Sequence, residues 1–325
     1  MASKLYSKSE VAERLDFREA LETVERTYLE TARGRVLSPA KLTMHMGDDG
    51  EWPDMNAFAI DMPAYVDWLG VAGMKWAIAT WDVDKDIPIS SLILLFDPIR
   101  GEFTAVMEGM HLTGVRTALQ SVVGLRHLRS SQPESIGVFG AGFQAQFQLS
   151  VINDLLNIGE FRLFDIDEDR AHDLAQELGP RMDAKISICD APAVAGSDAV
   201  VTVTDSKTPV LEERWLDDAG TLIALGSYQE LPDETIHAAD QIIVDHVEQC
   251  LRRGTLSHIA ARGTLGENDI DSTIGEVLND PGYSVVDGER VVFVPIGLGS
   301  LDVAVAERVY RNQAADDAVR AFGFE

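Results

Sequence analysis

The stretch from Ser135 to Gln146 constrains the fold more than any other part of the chain. Ile136 to Phe139 is an apolar run of strand length. It breaks at Gly140-Ala141-Gly142, and beyond Phe143 the apolar residues Leu149, Val151 and Leu155 suit a helix. Strand, glycine turn and helix in this order form the arrangement that holds a dinucleotide. Gly140 permits a tight turn, Gly142 lets the backbone approach a pyrophosphate, and Ala145, the third small position, lets helix and strand pack closely. The phosphates would accept hydrogen bonds from unpaired amide groups in the first helical turn, beginning at Phe143, where the helix dipole also favours negative charge.

A second apolar run, Phe161 to Phe164, ends in Asp165, about twenty residues beyond the last small residue of the turn. A carboxylate there accepts from the two adenosine ribose hydroxyls and repels a 2′-phosphate. Ile166, Asp167 and Glu168 follow, with no arginine, so the pattern favours NAD over NADP. An ordinary strand–helix crossover with a capping aspartate would also show an acid here. The common register of turn, helix and acid favours the nucleotide.

The 325 residues suffice for two domains, and the formal charge of −27 excludes the basic patches that nucleic-acid binding needs. No apolar run is long enough to span a bilayer, and the N-terminus lacks a signal-peptide core, so a cytoplasmic protein with no membrane partner is expected. Cys189 and Cys250 have no metal or redox spacing, and no metal site is predicted. Acid is spread along the chain, as in Asp165 to Asp169, and there are only seven lysines. Self-repulsion on this scale is relieved by salt, which points to a halophilic, high-salt setting.

Helical periodicity runs from Ser7 to Arg33 through Val11, Leu15, Ala20, Val24 and Tyr28, with Ser7 and Glu10 as a capping box. Strands follow at Leu37 to Met44, Ala57 to Tyr65 and Val71 to Ala79, then a hairpin of Ser91 to Phe96 and Phe103 to Met107. Lys75 interrupts the third strand between Met74 and Trp76. It reads either as a lysine pointing into water or as a partly buried amine whose pKa desolvation lowers for acid–base work. Gly114 to Arg129 is a helix with Arg116 near its start, where a cation opposes the helix dipole and calls for an anionic partner.

From Ser135 strands and helices alternate, with strands at Lys185 to Cys189, Ala199 to Thr204, Thr221 to Leu225, Gln241 to Val244 and Val291 to Pro295, the doubly wound pattern. Helical period returns from Leu301 to Phe322 through Val305, Val309, Ala314 and Val319. The expected architecture is α/β: a Rossmann-type domain over residues 129–300, and an α+β domain over 1–128 to which a C-terminal helix, 301–325, returns.

Met62-Pro63-Ala64-Tyr65, Gly73-Met74-Lys75-Trp76, Arg116-Thr117-Ala118, the turn from Gly140 to Ala145, and Gly297 to Asp302 before a helix occur in an order and spacing that resembles the ornithine cyclodeaminase/mu-crystallin family. That family includes NAD-dependent alanine dehydrogenases and ketimine reductases. The resemblance implies that the first domain binds substrate and pairs with a second copy as a homodimer. It implies that Lys41, Lys75 and Arg116 surround the carboxylate and imine of a small amino- or imino-acid substrate, with Met62 and Tyr228 beside them. Lys41 stands where many relatives carry arginine. Ser90, Arg116, Gln144, Asp165, Thr204, Leu225, Gly226 and Ile296 correspond to cofactor-contacting positions.

Two departures bear on the reaction. Cyclodeaminases place an aspartate where this chain has Tyr228, and an acid where it has Ile60. A neutral phenol is a poor base near pH 7. The resemblance therefore implies an NAD(H)-dependent oxidoreductase acting on the α-carbon of a small amino acid or its imine, with Lys75 and Arg116 catalytic. The alternatives are an ornithine cyclodeaminase, making proline and ammonia, and a non-catalytic binding protein of the mu-crystallin type.

Overall fold

The computed structural model describes residues 3–47, 52–81, 89–217, 220–312 and 320–323. In chain order the first part comprises β1 (Ser3–Tyr6), α1 (Lys8–Arg14), α2 (Phe17–Ala32), β2 (Val36–Leu37), β3 (Leu42–Met46), β4 (Ala57–Val66), β5 (Val71–Thr80), β6 (Ile89–Asp97), β7 (Glu102–Glu108) and α3 (Met110–His127). Next come β8 (Ser135–Phe139), α4 (Phe143–Leu155), β9 (Glu160–Phe164), α5 (Glu168–Leu178), β10 (Lys185–Ile188), α6 (Ala191–Ala195), β11 (Ala199–Thr202), β12 (Gly220–Ala224), α7 (Asp233–His237), β13 (Gln241–Val244), α8 (Val247–Cys250), α9 (Ser257–Ala261), β14 (Ser272–Thr273), α10 (Ile274–Asn279) and β15 (Arg290–Val294). The last elements are α11 (Gly299–Arg311) and β16 (Arg320–Phe322). The chain divides into two compact units, Met1–Arg116 with Leu298–Glu325, and Thr117–Gly297. The division therefore falls inside α3, ahead of the break at 128 drawn from sequence.

In the first unit the sheet order is β16-β1-β7-β6-β5-β4-β2, with β3 also on β4. It is antiparallel apart from β1 on β7. Register explains its two faces. On one face Met62, Lys75, Ile93 and Met107 lie side by side across β4 to β7, all buried, and α11 packs against β4, β5 and β6. On the other, Leu42, Asp61, Trp76 and Leu92 form one row, and Met44, Ala59, Ile78 and Ser90 the next. Leu42, Met44, Trp76, Ile78 and Leu92 are exposed there.

The helical stretch read over 7–33 is two helices. Ser7 and Glu10 make the capping box of α1, but the chain turns out at Leu15, and Asp16 caps α2 through the Arg18 and Glu19 amides at 2.9 Å each. The Leu37 to Met44 strand is also two, β2 and β3, separated around Pro39, which has no amide to donate. The C-terminal helix ends at Arg311 rather than continuing to Phe322, which lies in β16 opposite Ser3. Ala314 and Val319, read as part of that helix, lie outside the described residues.

The second unit is one parallel sheet of order β10-β9-β8-β11-β12-β15-β13-β14. Its strands are near-continuous apolar runs because both faces are covered, with Phe139, Val200, Leu222, Val244 and Val294 in the core beneath Leu231 and Leu256. The chain leaves β8 toward β9 and β10, then resumes on the other side of β8 at β11. That reversal puts a ligand-binding crevice at the carboxyl end of β8.

Candidate active site

Lys75 lies on the covered face of β5 and is only 4% exposed, so it does not point into water. Its ammonium meets the Asp302 carboxylate at 3.1 Å, and the same carboxylate accepts from Arg116 Nε at 3.0 Å. Asp302 sits in the first turn of α11 and is fully buried, and Arg116 is buried on α3. Burial alone would raise the Asp302 carboxyl. The charges of Arg116 and Lys75 outweigh it and hold the group below its ordinary value. One buried carboxylate thus supplies the counter-charge for two buried cations. Met62 is opposite Lys75 on β4, and Lys41 lies half-buried just ahead of β3.

Sequence reasoning proposed Lys75 and Arg116 and missed Asp302, their shared partner. The available signal was an acid within Leu301-Asp302-Val303-Ala304, an otherwise apolar turn. Ser90 falls on the exposed face, opposite Ile78. The buried serine on the Lys75 face is its neighbour, Ser91.

In the second unit the glycine turn forms as its residues dictate. Gly140 has φ +103°, a conformation that favours glycine, and a Cβ there would meet the Val203 carbonyl oxygen at 2.8 Å. Gly142 is the N-cap of α4 and provides no side-chain cap. A Cβ on Gly142 would meet nothing within 4 Å, so no protein neighbour demands a glycine. Bare amides and open space fit a bound pyrophosphate. Asp165 follows β9 directly, and its carboxylate accepts from the Ala141 amide at 2.7 Å and the Asp167 amide at 2.9 Å. The acid and the turn are therefore one structure. Phe143 and Gln144 open α4, and Ala145 is fully buried where the helix packs.

The remaining predicted cofactor positions gather where β11, β12 and β15 end. Glu230, which sequence reasoning did not single out, organises two of these exits. Its Oε1 accepts from the Thr204 amide at 2.6 Å and hydroxyl at 2.8 Å. Its Oε2 accepts from the Thr202 hydroxyl at 2.8 Å and the Gly226 amide at 2.7 Å. Burial pushes the Glu230 carboxyl up, while those donors pull it down. Leu225 is half-buried beside them, bonded through its amide to Thr202. Ile296 and Gly297 are held through their amides by buried Asp245, at 3.1 and 2.6 Å. Tyr228 is exposed, with the Lys207 ammonium 5.6 Å from its ring centroid.

The family model of the ornithine cyclodeaminase/mu-crystallin family matches residues 1–317. The chain is 30% identical over 321 residues to an alanine dehydrogenase of Archaeoglobus fulgidus, covering 96% of this chain and 95% of that one. It is 28% identical over 265 residues to a Delta(1)-pyrroline-2-carboxylate reductase of Bacillus cereus, covering 78% and 81% respectively. Among solved structures it is similar to an archaeal alanine dehydrogenase dimer with bound NAD, at 26% identity, full coverage of both chains and a TM-score of 0.89. Two units with this topology, and a match spanning both of them, lead to one conclusion: the chain belongs to the ornithine cyclodeaminase/mu-crystallin family.

Proposed function

We propose that the protein is an NAD(H)-dependent amino-acid dehydrogenase or imine reductase acting at the α-carbon of a small substrate. The observation that carries this reading is the buried Lys75–Asp302–Arg116 group, in a chain whose other unit bears the glycine turn joined to Asp165. NAD, when bound, accepts or gives the hydride. Arg116 and Lys41 bind the substrate carboxylate by charge-assisted hydrogen bonds and fix the α-carbon. In its neutral form Lys75 Nζ takes a proton from the substrate amine in the oxidative direction, and as the ammonium it returns one in the reductive direction. Asp302 keeps that amine and the Arg116 guanidinium in a fixed relation. Gly142, Phe143 and Gln144 receive the pyrophosphate, and Asp165 the adenosine ribose. Thr204, Leu225, Gly226 and Ile296 border the nicotinamide half.

The exposed rows Leu42–Trp76–Leu92 and Met44–Ile78 support a homodimer formed through that sheet face, because contiguous apolar surface of this kind marks a partner site. Among the described residues no helix is long and apolar enough to cross a membrane. The charge of −27 supports a high-salt cytoplasm.

The test is a screen of amino acids with NAD, and of 2-oxo acids with ammonia or methylamine and NADH, followed by the cofactor's absorbance. Lys75→Met should lower turnover by about 10²- to 10⁴-fold while NADH affinity is unchanged. Full activity in that variant removes Lys75 from the reaction. Conversion of ornithine to proline and ammonia with no net NADH would instead assign cyclodeamination. Silence toward every substrate would leave a binding protein.

A further inference from the structure

Where α11 ends over the sheet of the first unit there is a cavity that the reaction above does not use. It has a volume of about 210 Å³, and its walls include Val71 of β5, Phe96 and Asp97 of β6, Phe103 of β7, and Glu307 and Tyr310 of α11. All of these residues belong to one unit. None of them is in the Lys75–Asp302–Arg116 group. Glu307 is five residues beyond Asp302 on α11, about 7.5 Å further along the helix axis.

Glu307 is the unusual group in these walls. Its side chain is only 7% exposed, and its Oε1 accepts from Arg311 Nε at 2.6 Å. Among the described residues its Oε2 accepts no hydrogen bond. Burial pushes the carboxyl up against the pull of Arg311 and Arg308, and nearby Asp97 adds to the rise. The two arginines that border the cavity are already engaged. Arg311 also donates to the Leu69 carbonyl at 2.7 Å, and Arg100 pairs with Asp97 at 3.6 Å. A buried carboxylate with an idle oxygen gains from a further donor, above all a charged one.

The aromatic side chains give the class of that donor. Phe96 and Phe103 meet edge to face with centroids 6.3 Å apart, and Phe103 is half exposed. The Tyr310 ring already has the Lys4 ammonium 5.7 Å from its centroid, as expected for a ring face that attracts cations. Ring faces beside a carboxylate oxygen suit an organic ammonium ion, with its apolar body on the rings and its N–H groups on the acid. A metal ion would need several oxygen ligands. Among the described residues no group of three or more His, Cys, Asp or Glu side chains could hold one. The cavity is larger than the roughly 150 Å³ that accommodates benzene, so one ring with a short amino arm fits.

We infer that this cavity is a second binding site, for a small organic ammonium ion, separate from the substrate site around Lys75. Glu307 is its anchor, and Phe96, Phe103 and Tyr310 receive the apolar part of the ligand.

Benzylamine and its uncharged analogue benzyl alcohol are the probes, titrated calorimetrically into the full chain at fixed salt. Melting temperature and NADH affinity report whether each variant is folded. Benzylamine should bind at least tenfold more tightly than benzyl alcohol. Glu307→Gln should weaken benzylamine binding by on the order of 10- to 100-fold, the worth of one charged hydrogen bond, and leave benzyl alcohol unaffected. Phe103→Ala changes a half-exposed side chain, should weaken both probes, and decides the matter if Glu307→Gln does not fold. Lys75→Met should alter neither affinity. Equal binding of the two probes by the parent protein, or no saturable binding of benzylamine, overturns the proposal. So does full benzylamine affinity in folded Glu307→Gln or in Phe103→Ala. A loss of benzylamine binding in Lys75→Met would put the amine in the substrate site and overturns it too.

Discussion

The Asp302 carboxylate lies 3.1 Å from the Lys75 ammonium, although 227 residues separate the two in the chain. Both are buried, and Arg116 shares the same acid. Asp302→Asn would remove the carboxylate that both buried cations share, and breaking a buried pair from one side costs about 3–5 kcal/mol. Urea unfolding of the parent and variant measures it. The Asp302 carboxyl is held below its usual range, so its stabilisation is present above the unfolded value of about 3.9 and is lost as pH falls through the lower, folded value. The parent should therefore lose stability in that acid window, and the asparagine variant should show less of that loss.

Two glycines in one turn should behave oppositely. Gly142 has φ −84° and open space around it, so Gly142→Ala should change stability by less than about 0.5 kcal/mol. It should weaken NADH binding roughly tenfold, because the methyl group would occupy the proposed approach of the pyrophosphate. Gly140→Ala forces a side chain into φ +103° and should cost about 1–3 kcal/mol. Thermal melts and NADH fluorescence titrations separate the two effects.

Glu230 fixes the exits of β11 and β12 with four accepted hydrogen bonds. Glu230→Gln turns an amide NH2 toward at least one of those donors and should cost about 1–3 kcal/mol. The dissociation constant for NADH should rise in the same variant, since the loops proposed to border the nicotinamide would no longer be tied together. An NADH titration with unchanged affinity would show that the acid serves stability alone.

With a formal charge of −27, the folded chain repels itself. At 1 M salt the screening length falls to about 3 Å, so the melting temperature should be higher in molar salt than at low ionic strength. Scanning calorimetry across a salt series checks the direction. A protein that melts lower in molar salt would not be adapted to a saline interior.

Features set by local pattern were legible in the sequence. The glycine turn, its helix and Asp165 fall within about thirty residues and follow directly from backbone needs. The strand alternation through Met74, Lys75 and Trp76 put the lysine on the face opposite the tryptophan, but could not say which face was covered. That depends on α11, more than two hundred residues away. Asp302 was missed for the same reason: an acid in a first helical turn complements the dipole and needs no further explanation. The strand β1 has four residues and owes its order to β7 and β16 rather than to its own pattern. Glu230 is one acid among 54, and only burial distinguishes it.

The position of Asp302 also bears on the order in which the protein is made. A ribosome that has reached residue 297 has already supplied the whole dinucleotide-binding unit. The helix that roofs Lys75 and brings its counter-ion is still untranslated. The nascent chain can thus complete its cofactor-binding fold before its proposed proton-transfer amine is set in place, and chemical competence waits for a helix that follows the whole of that unit in the chain.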